Sequence, residues 1–125
     1  TRFVETRYKM SKDEADSGVV FPDTIGRGAR LRWWEEEQVK NPPRGFDIPY
    51  RQILPVGIEN LYIVGKPLAG ICGYLRSMPM CMVTGEGAGT AAAIAAKHNI
   101  SSGNVNIRGL QEVLTKNNVN IGKPS

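Results

Sequence analysis

The feature that most constrains the fold is a run of small residues at positions 78–97, MPMCMVTGEGAGTAAAIAAK. Its composition predicts a helix that begins at Pro79 or Met80 and ends near Lys97. Three glycines fall inside this helix: Gly85, Gly87 and Gly89. Each glycine destabilises a helix by about 0.8–1.0 kcal/mol relative to alanine. Close packing would explain these glycines, because a helix without side chains on one side can lie very near a sheet or a cofactor.

The same glycines resemble, at first sight, a loop that binds the phosphates of a dinucleotide. That fingerprint, G-x-G-x-x-G, directly follows a strand and opens a helix. Here the spacing is G-x-G-x-G, and the preceding predicted strand ends far upstream at Val64. A P-loop is excluded as well, since no Gly-Lys-Ser/Thr sequence follows. The pattern therefore favours close helix packing over phosphate binding.

The start of this helix carries two positive features. The first amides of an α-helix have no partner inside the helix, and the helix dipole places roughly half a positive charge there. Such an end binds anions or electron-rich oxygens. Arg76 lies just before it and adds a permanent charge. We expect a polarised ligand oxygen and a substrate carboxylate here, although pairing of Arg76 with a surface acid is an equally good interpretation.

The rest of the chain predicts short elements separated by turns. Strands are predicted within residues 1–10 and at residues 61–64. An extended segment, limited by Pro49, is predicted at residues 46–54. Helices are predicted at residues 12–16 and 107–116. A capping box of Ser11 and Glu14 indicates the first helix, and Asn106 is the expected N-cap of the last. Residues 19–32 predict a turn-rich segment or a short helix.

Composition excludes several classes of function. The 125 residues are 41% hydrophobic and 22% charged, which is ordinary for a globular domain. The net charge of +4 comes from scattered basic residues, whereas a nucleic-acid surface requires a clustered basic face. No apolar stretch is long enough to span a membrane. Cys72, Cys81 and the single His98 provide no disulfide framework, zinc site or catalytic triad. We expect a cytoplasmic protein without nucleic-acid or membrane partners.

Several motifs in a fixed order resemble a known family. The stretches are ETRYKMSKDEADSG, FPDTIGRG, FDIPYRQILPVGIENLYIVGKPLAG and RSMPMCMVTGEGAGTAAAIAAK. Together they resemble the C-terminal end of FAD-dependent oxidoreductases related to the fumarate reductase and succinate dehydrogenase flavoproteins. The resemblance covers most of residues 5–97 and is specific, because separate motifs occur in the right order.

This resemblance implies an α/β fold. Residues 1–45 would be the end of a substrate or cap domain, and residues 46–125 the C-terminal part of a Rossmann-like FAD-binding domain, with its last strand and following helix. In such flavoproteins the glycine-rich loop that binds the ADP part of FAD lies at the extreme N-terminus. The chain is therefore expected to be a fragment that requires the remaining FAD-binding part, on the same polypeptide or another subunit, to hold non-covalent FAD.

The resemblance also implies roles for individual residues. The cofactor-binding residues it implies are Gly65, Lys66, Pro79, Met80, Cys81 and Met82, and the catalytic residue is Arg76. The helix start would stabilise negative charge on the flavin ring, and Arg76 would bind a substrate carboxylate. Cys81 has two interpretations, a reactive thiol at a helix start or a packed apolar side chain, and the second is favoured.

One departure from the family pattern leaves two functions open. The loop KPLAGICGYL, residues 66–75, lacks the His-Glu pair usual in the family. The leading expectation is hydride transfer between a small-molecule substrate and FAD. The alternative is a non-catalytic remnant or partner-binding module that keeps the packing surface, and the loop without histidine supports it.

Overall fold

The computed structural model describes residues 5–28, 45–65, 67 and 78–121. The elements, in chain order, are helix α1 (Lys12–Asp16), strand β1 (Thr24–Gly28), strand β2 (Phe46–Pro49), a 3-10 turn (Tyr50–Ile53), helix α2 (Met78–His98), a second 3-10 turn (Ser102–Asn104) and helix α3 (Ile107–Lys116). The described part of the chain is thus a small α/β structure with one two-stranded sheet.

Helix α1 begins at the predicted capping box. The Ser11 hydroxyl accepts a hydrogen bond from the Glu14 amide at 3.1 Å, and the Glu14 carboxylate accepts one from the Ser11 amide at 3.2 Å. Gly18 follows the helix with a φ of +73°, a left-handed conformation that glycine adopts without steric cost. The prediction for this element, including its end at Asp16, is confirmed.

Strand β1 lies within residues 19–32, where the sequence predicts a turn-rich segment or a short helix, and that prediction is wrong for Thr24–Gly28. It pairs antiparallel with β2, with Gly28 opposite Phe46 and Thr24 opposite Pro49. A Cβ atom on Gly28 would lie 2.7 Å from the Met80 sulfur, so α2 packs directly on the strand at this position. Gly26 and Gly28 let the helix approach the sheet, because a Cβ atom on either glycine would clash with a side chain of α2.

Helix α2 uses one of its three glycines for this packing. A Cβ atom on Gly87 would lie 2.7 Å from Cδ1 and 3.0 Å from Cβ of Ile25 in β1. Gly85 and Gly89 meet no atom within 4 Å in the part of the chain that the structure describes. The predicted helix is confirmed in extent, but close packing against the described residues explains only Gly87.

The core lies between the sheet and the helices. Its fully buried side chains include Phe46, Ile25, Ile48, Ile53, Met10, Leu110 and Leu114. Helix α3 contributes the last two, and the Asn106 side chain caps it by accepting from the Gly109 amide at 3.3 Å. The bounds predicted for this helix are confirmed, and its Val113 side chain is 37% exposed.

The segment 61–64 is not a strand in the structure, contrary to prediction. Its single backbone hydrogen bond in the described residues runs from the Ile63 amide to the Ile53 carbonyl, at 2.9 Å. Residues 5–10 likewise form only an isolated bridge, between Thr6 and Pro55. A strand assignment requires a continuous ladder, and the described residues place no second strand beside either segment.

The parallel sheet of a Rossmann-like domain is therefore not visible among these elements. Strand β1 precedes and β2 follows the predicted domain boundary at residue 45, and both belong to one sheet. The division into residues 1–45 and 46–125 stays a prediction.

Candidate functional site

The start of α2 presents several backbone N–H groups close together. Met78 and Met80 belong to its first turn, where amides have no acceptor within the helix. Pro79 has no amide hydrogen and is tolerated there for that reason. The 21-residue helix directs the positive end of its dipole to this turn. The arrangement is suited to an electron-rich oxygen atom.

Gly65 lies beside this first turn. Its φ is +73°, and a Cβ atom added there would lie 3.5 Å from the Cys81 sulfur. Its amide donates to the Thr84 hydroxyl of α2 at 3.4 Å. The structure therefore brings together Gly65 and the helix start, two parts of the site that the sequence separates by more than a dozen residues.

Thr84 makes this connection, and sequence reasoning missed it. Its side chain is fully buried, and its hydroxyl lies 3.0 Å from the Met80 carbonyl and 3.2 Å from the Cys81 carbonyl. It can donate to one of these carbonyls while accepting from Gly65. A threonine inside a helix commonly bonds the carbonyl four residues earlier, which is the signal that could have identified it.

The side chains at the helix start point in different directions. Met80 is 4% exposed and packs into the core, whereas Met82 is 74% exposed. Cys81 is half-buried, with its sulfur toward Gly65. Pro79 lies in the first turn of α2. Of the methionine side chains of α2 that the structure describes, Met82 is therefore the one that is available to a molecule bound at this turn.

Two predicted site residues, Lys66 and Arg76, lie outside the described residues. The loop 66–75, in which the His-Glu pair is missing, lies outside them as well, except for Pro67. Their roles stay predictions. The described part of the site consists of Gly65, the first turn of α2 and Thr84.

The segment that leads into Gly65 is anchored to the second 3-10 turn. The Asn60 amide donates to the Ser102 hydroxyl at 3.0 Å, and the Tyr50 hydroxyl donates to the Ser102 carbonyl at 2.6 Å. The hydroxyl groups of Tyr50 and Tyr62 lie 2.9 Å apart. Burial, together with the hydrogen bond to Tyr62, raises the pKa of Tyr50, which therefore stays protonated at neutral pH.

A salt bridge reinforces the same anchor. Arg7 binds Glu59 at 2.7 Å, and the Gly103 amide donates to the second oxygen of that carboxylate at 3.4 Å. The hydrogen bond from Arg7 lowers the pKa of Glu59. Because both side chains are substantially exposed, we assign this pair a role in orientation and only a small contribution to stability.

Other classes of site find no support in the described residues. They contain no group of three or more His, Cys, Asp or Glu side chains placed to hold a metal ion. None of their helices is both long and apolar enough to span a membrane.

Comparison with known proteins identifies the family. The sequence profile of the family described as FAD dependent oxidoreductase matches residues 1–114. No curated protein matches the chain, and no solved structure does. The matched region contains β1, β2, Gly65 and all of α2. The chain belongs to the FAD dependent oxidoreductase family, and its cofactor is FAD.

Proposed function

We propose that Gly65 and the first turn of α2 contact the flavin ring of FAD, in an enzyme that transfers hydride between a small-molecule substrate and this cofactor. The observation that carries the proposal is the hydrogen bond from Gly65 to Thr84, which holds a residue without a side chain beside the helix start. Flavin supplies the hydride chemistry when it is bound.

The residues at this place suit FAD in their chemistry. The ring oxygens of a flavin accept hydrogen bonds, and the α2 start offers amides together with a positive dipole. Gly65 leaves space where any other residue would project a Cβ atom, and its φ of +73° disfavours such residues. Met82 presents a flexible, polarisable side chain that can cover an aromatic ring.

The other contacts to FAD would come from polypeptide outside these 125 residues, on the same chain or on another subunit. The sequence contains no strand followed by G-x-G-x-x-G for the pyrophosphate. The extended segment 61–64 exposes Leu61 by 44% and Val64 by 37%, as expected for a strand that joins a sheet supplied by that partner. We propose that this segment, which has no strand partner among the described residues, becomes the last strand of a Rossmann-like sheet when that polypeptide is present.

The sequence resemblance suggests the roles of the remaining site residues. Arg76 would bind a substrate carboxylate bidentately, and Lys66 would lie near the ribityl and pyrophosphate groups. A carboxylate substrate agrees with a relation to the fumarate reductase and succinate dehydrogenase flavoproteins. Arg76→Lys tests this role, because a lysine retains the charge and loses the planar fork.

A pair of glycine variants tests the flavin contact. The chain is produced together with the polypeptide that carries the G-x-G-x-x-G motif, and the FAD retained after purification is measured by its visible absorbance. Gly65→Asn places a side chain at the helix start in a conformation that asparagine tolerates. Gly57→Asn is the matched control, since Gly57 has a φ of +76° and no atom within 4 Å of an added Cβ.

We expect Gly65→Asn to weaken FAD binding by about tenfold or more, which corresponds to about 1.4 kcal/mol, and Gly57→Asn to leave it unchanged. Equal FAD affinity in the two variants would contradict the proposed flavin contact. A stable, colourless complex of the unaltered proteins would instead favour the non-catalytic partner-binding module.

A further inference from the structure

A second site lies away from the start of α2. A cavity of about 520 Å³ opens between the N-terminal segment, the turn after β2 and the beginning of α3. Met80, near the start of α2, lies against Gly28 at the end of β1, and Gly87, further along α2, lies against Ile25 near the start of β1. Strand β1 therefore runs antiparallel to the helix. Asp23, which lines the cavity, comes before β1 and therefore lies toward the other end of α2.

The walls of this cavity are largely apolar. Leu54 and Val105 are buried, and Ile107 is half-buried at the first position of α3. Tyr50 also lines the cavity, but its hydroxyl is engaged with Ser102 and Tyr62. The volume lies within the range of about 300–1,000 Å³ that is typical of small-molecule sites.

Two guanidinium groups line the same cavity. Arg51 donates from Nε at 3.0 Å and from Nη2 at 3.4 Å to Asp23, and its guanidinium lies 4.6 Å from the centre of the Tyr8 ring. Arg7 donates from Nη2 to Glu59. The Nη1 group of each arginine has no hydrogen-bond acceptor among the described residues, and a guanidinium has five hydrogens to donate.

The guanidinium donors that remain unused and the space around them favour an anion. Asp23 pairs with Arg51, and Glu59, which lies outside the lining, pairs with Arg7, so the charges balance and the argument for an anion rests on the Nη1 groups that neither carboxylate engages. A Cβ atom added on Gly103 would lie 2.7 Å from the Nη1 atom of Arg7. A glycine at this position therefore allows the guanidinium to lie where it does.

We propose that this cavity binds a small monocarboxylate with an apolar body. The apolar part would contact Leu54, Val105 and Ile107, and the carboxylate would accept hydrogen bonds from Nη1 of Arg7 and Arg51. Hydrogen bonds between two ionised groups are shorter and stronger than neutral ones. The cavity shares no residue with the described flavin site of Gly65, the first turn of α2 and Thr84, although Arg7, Tyr50 and Gly103 also anchor the segment that leads into Gly65.

The test uses octanoate as the probe and the full 125-residue chain labelled for amide NMR. Octylamine and 1-octanol carry the same apolar tail with a positive charge or none. Arg7→Gln and Arg51→Gln remove one guanidinium each, and Arg108→Gln is the matched control, since Arg108 is exposed on α3 and does not line the cavity. Ile107→Trp fills the cavity while it keeps both arginines.

We expect saturable binding of octanoate, with shifts centred on Gly103, Val105 and Ile107, and no saturable binding of octylamine. Each Arg→Gln variant should bind about tenfold more weakly, the loss expected for one charge-assisted hydrogen bond, and Ile107→Trp should not bind. The proposal is overturned if octanol or octylamine binds as tightly, if Arg108→Gln weakens binding equally, or if octanoate does not bind. A spectrum without dispersed β1 amides would overturn the structure on which the cavity rests.

Discussion

At the residue scale, one helix contains the same residue type in two different environments. Gly87 lies against Ile25, where no side chain fits, whereas Gly85 and Gly89 face open space within the described part of the chain. Glycines in a helix interior are destabilising, so the two open positions lower the stability of α2 without a compensating contact in the described residues. They are free for contact with the polypeptide proposed to complete the FAD site.

Alanine substitutions separate these environments. We expect Gly85→Ala and Gly89→Ala each to raise the free energy of unfolding by about 0.8–1.0 kcal/mol, the difference in helix propensity. Gly87→Ala should instead lower it by about 1–3 kcal/mol, because Ile25 must shift to accept the new methyl group. Urea denaturation of the three variants measures the effect. A gain in stability for Gly87→Ala would contradict the packing of α2 on β1.

Thr84 offers a second prediction at this scale. We expect Thr84→Val to remove the acceptor of the Gly65 amide and to lower the unfolding free energy by about 0.5–1.5 kcal/mol, the usual net value of one hydrogen bond. Hydrogen exchange at the Gly65 amide should become faster. Thr84→Ser keeps the hydroxyl and is the control. Unchanged exchange in Thr84→Val would show that this hydroxyl does not hold Gly65 in place.

At the element scale, the sequence predicted those elements whose signals are local. The capping box at Ser11 and the N-cap at Asn106 determined the starts of α1 and α3, because the capping groups lie within three residues of their partners. Strand β1 could not be predicted, since its glycines are explained by contacts with α2 more than fifty residues later. The segment 61–64 has the composition of a strand, but a strand also requires a neighbour.

The acid sensitivity of α1 provides a prediction about pH. Hydrogen bonds from the Tyr8 hydroxyl and from Ser11 lower the pKa of Glu14 below its ordinary value of 4.5. The stability that these hydrogen bonds to the Glu14 carboxylate contribute is therefore fully present above pH 4.5. It is lost as the pH falls through the lower pKa that Glu14 has in the folded state.

Glu14→Gln should consequently show a smaller loss of unfolding free energy on acidification than the unaltered chain does. Tyr8→Phe, which removes only the strongest donor to Glu14, should give an intermediate result. Urea denaturation at a series of pH values measures both variants. If the unaltered chain and Glu14→Gln lose stability equally, the Tyr8–Glu14 hydrogen bond does not stabilise the fold.

At the scale of the whole molecule, the sequence predicts a site at the helix start, and the structure adds that Gly65 lies beside this turn. The position of Gly65 beside α2 depends on Thr84 and on the anchor at Ser102, both of which are long-range contacts. The cavity near Arg7 and Arg51 was not foreseen, because its walls come from four separate stretches of the chain. No local pattern brings these residues together.

The flavin midpoint potential of the FAD-loaded protein tests most directly whether the α2 start faces the flavin. Met82→Asp places a negative charge at this turn, and Ala93→Asp places one on the same side of the helix, about three turns away. Negative charge near the ring disfavours the reduced flavin, so Met82→Asp should lower the potential by roughly 30 mV, equivalent to about 1.4 kcal/mol for two electrons. Ala93→Asp should leave it nearly unchanged. Equal potentials in both variants and the unaltered protein would contradict the placement of the flavin at the start of α2.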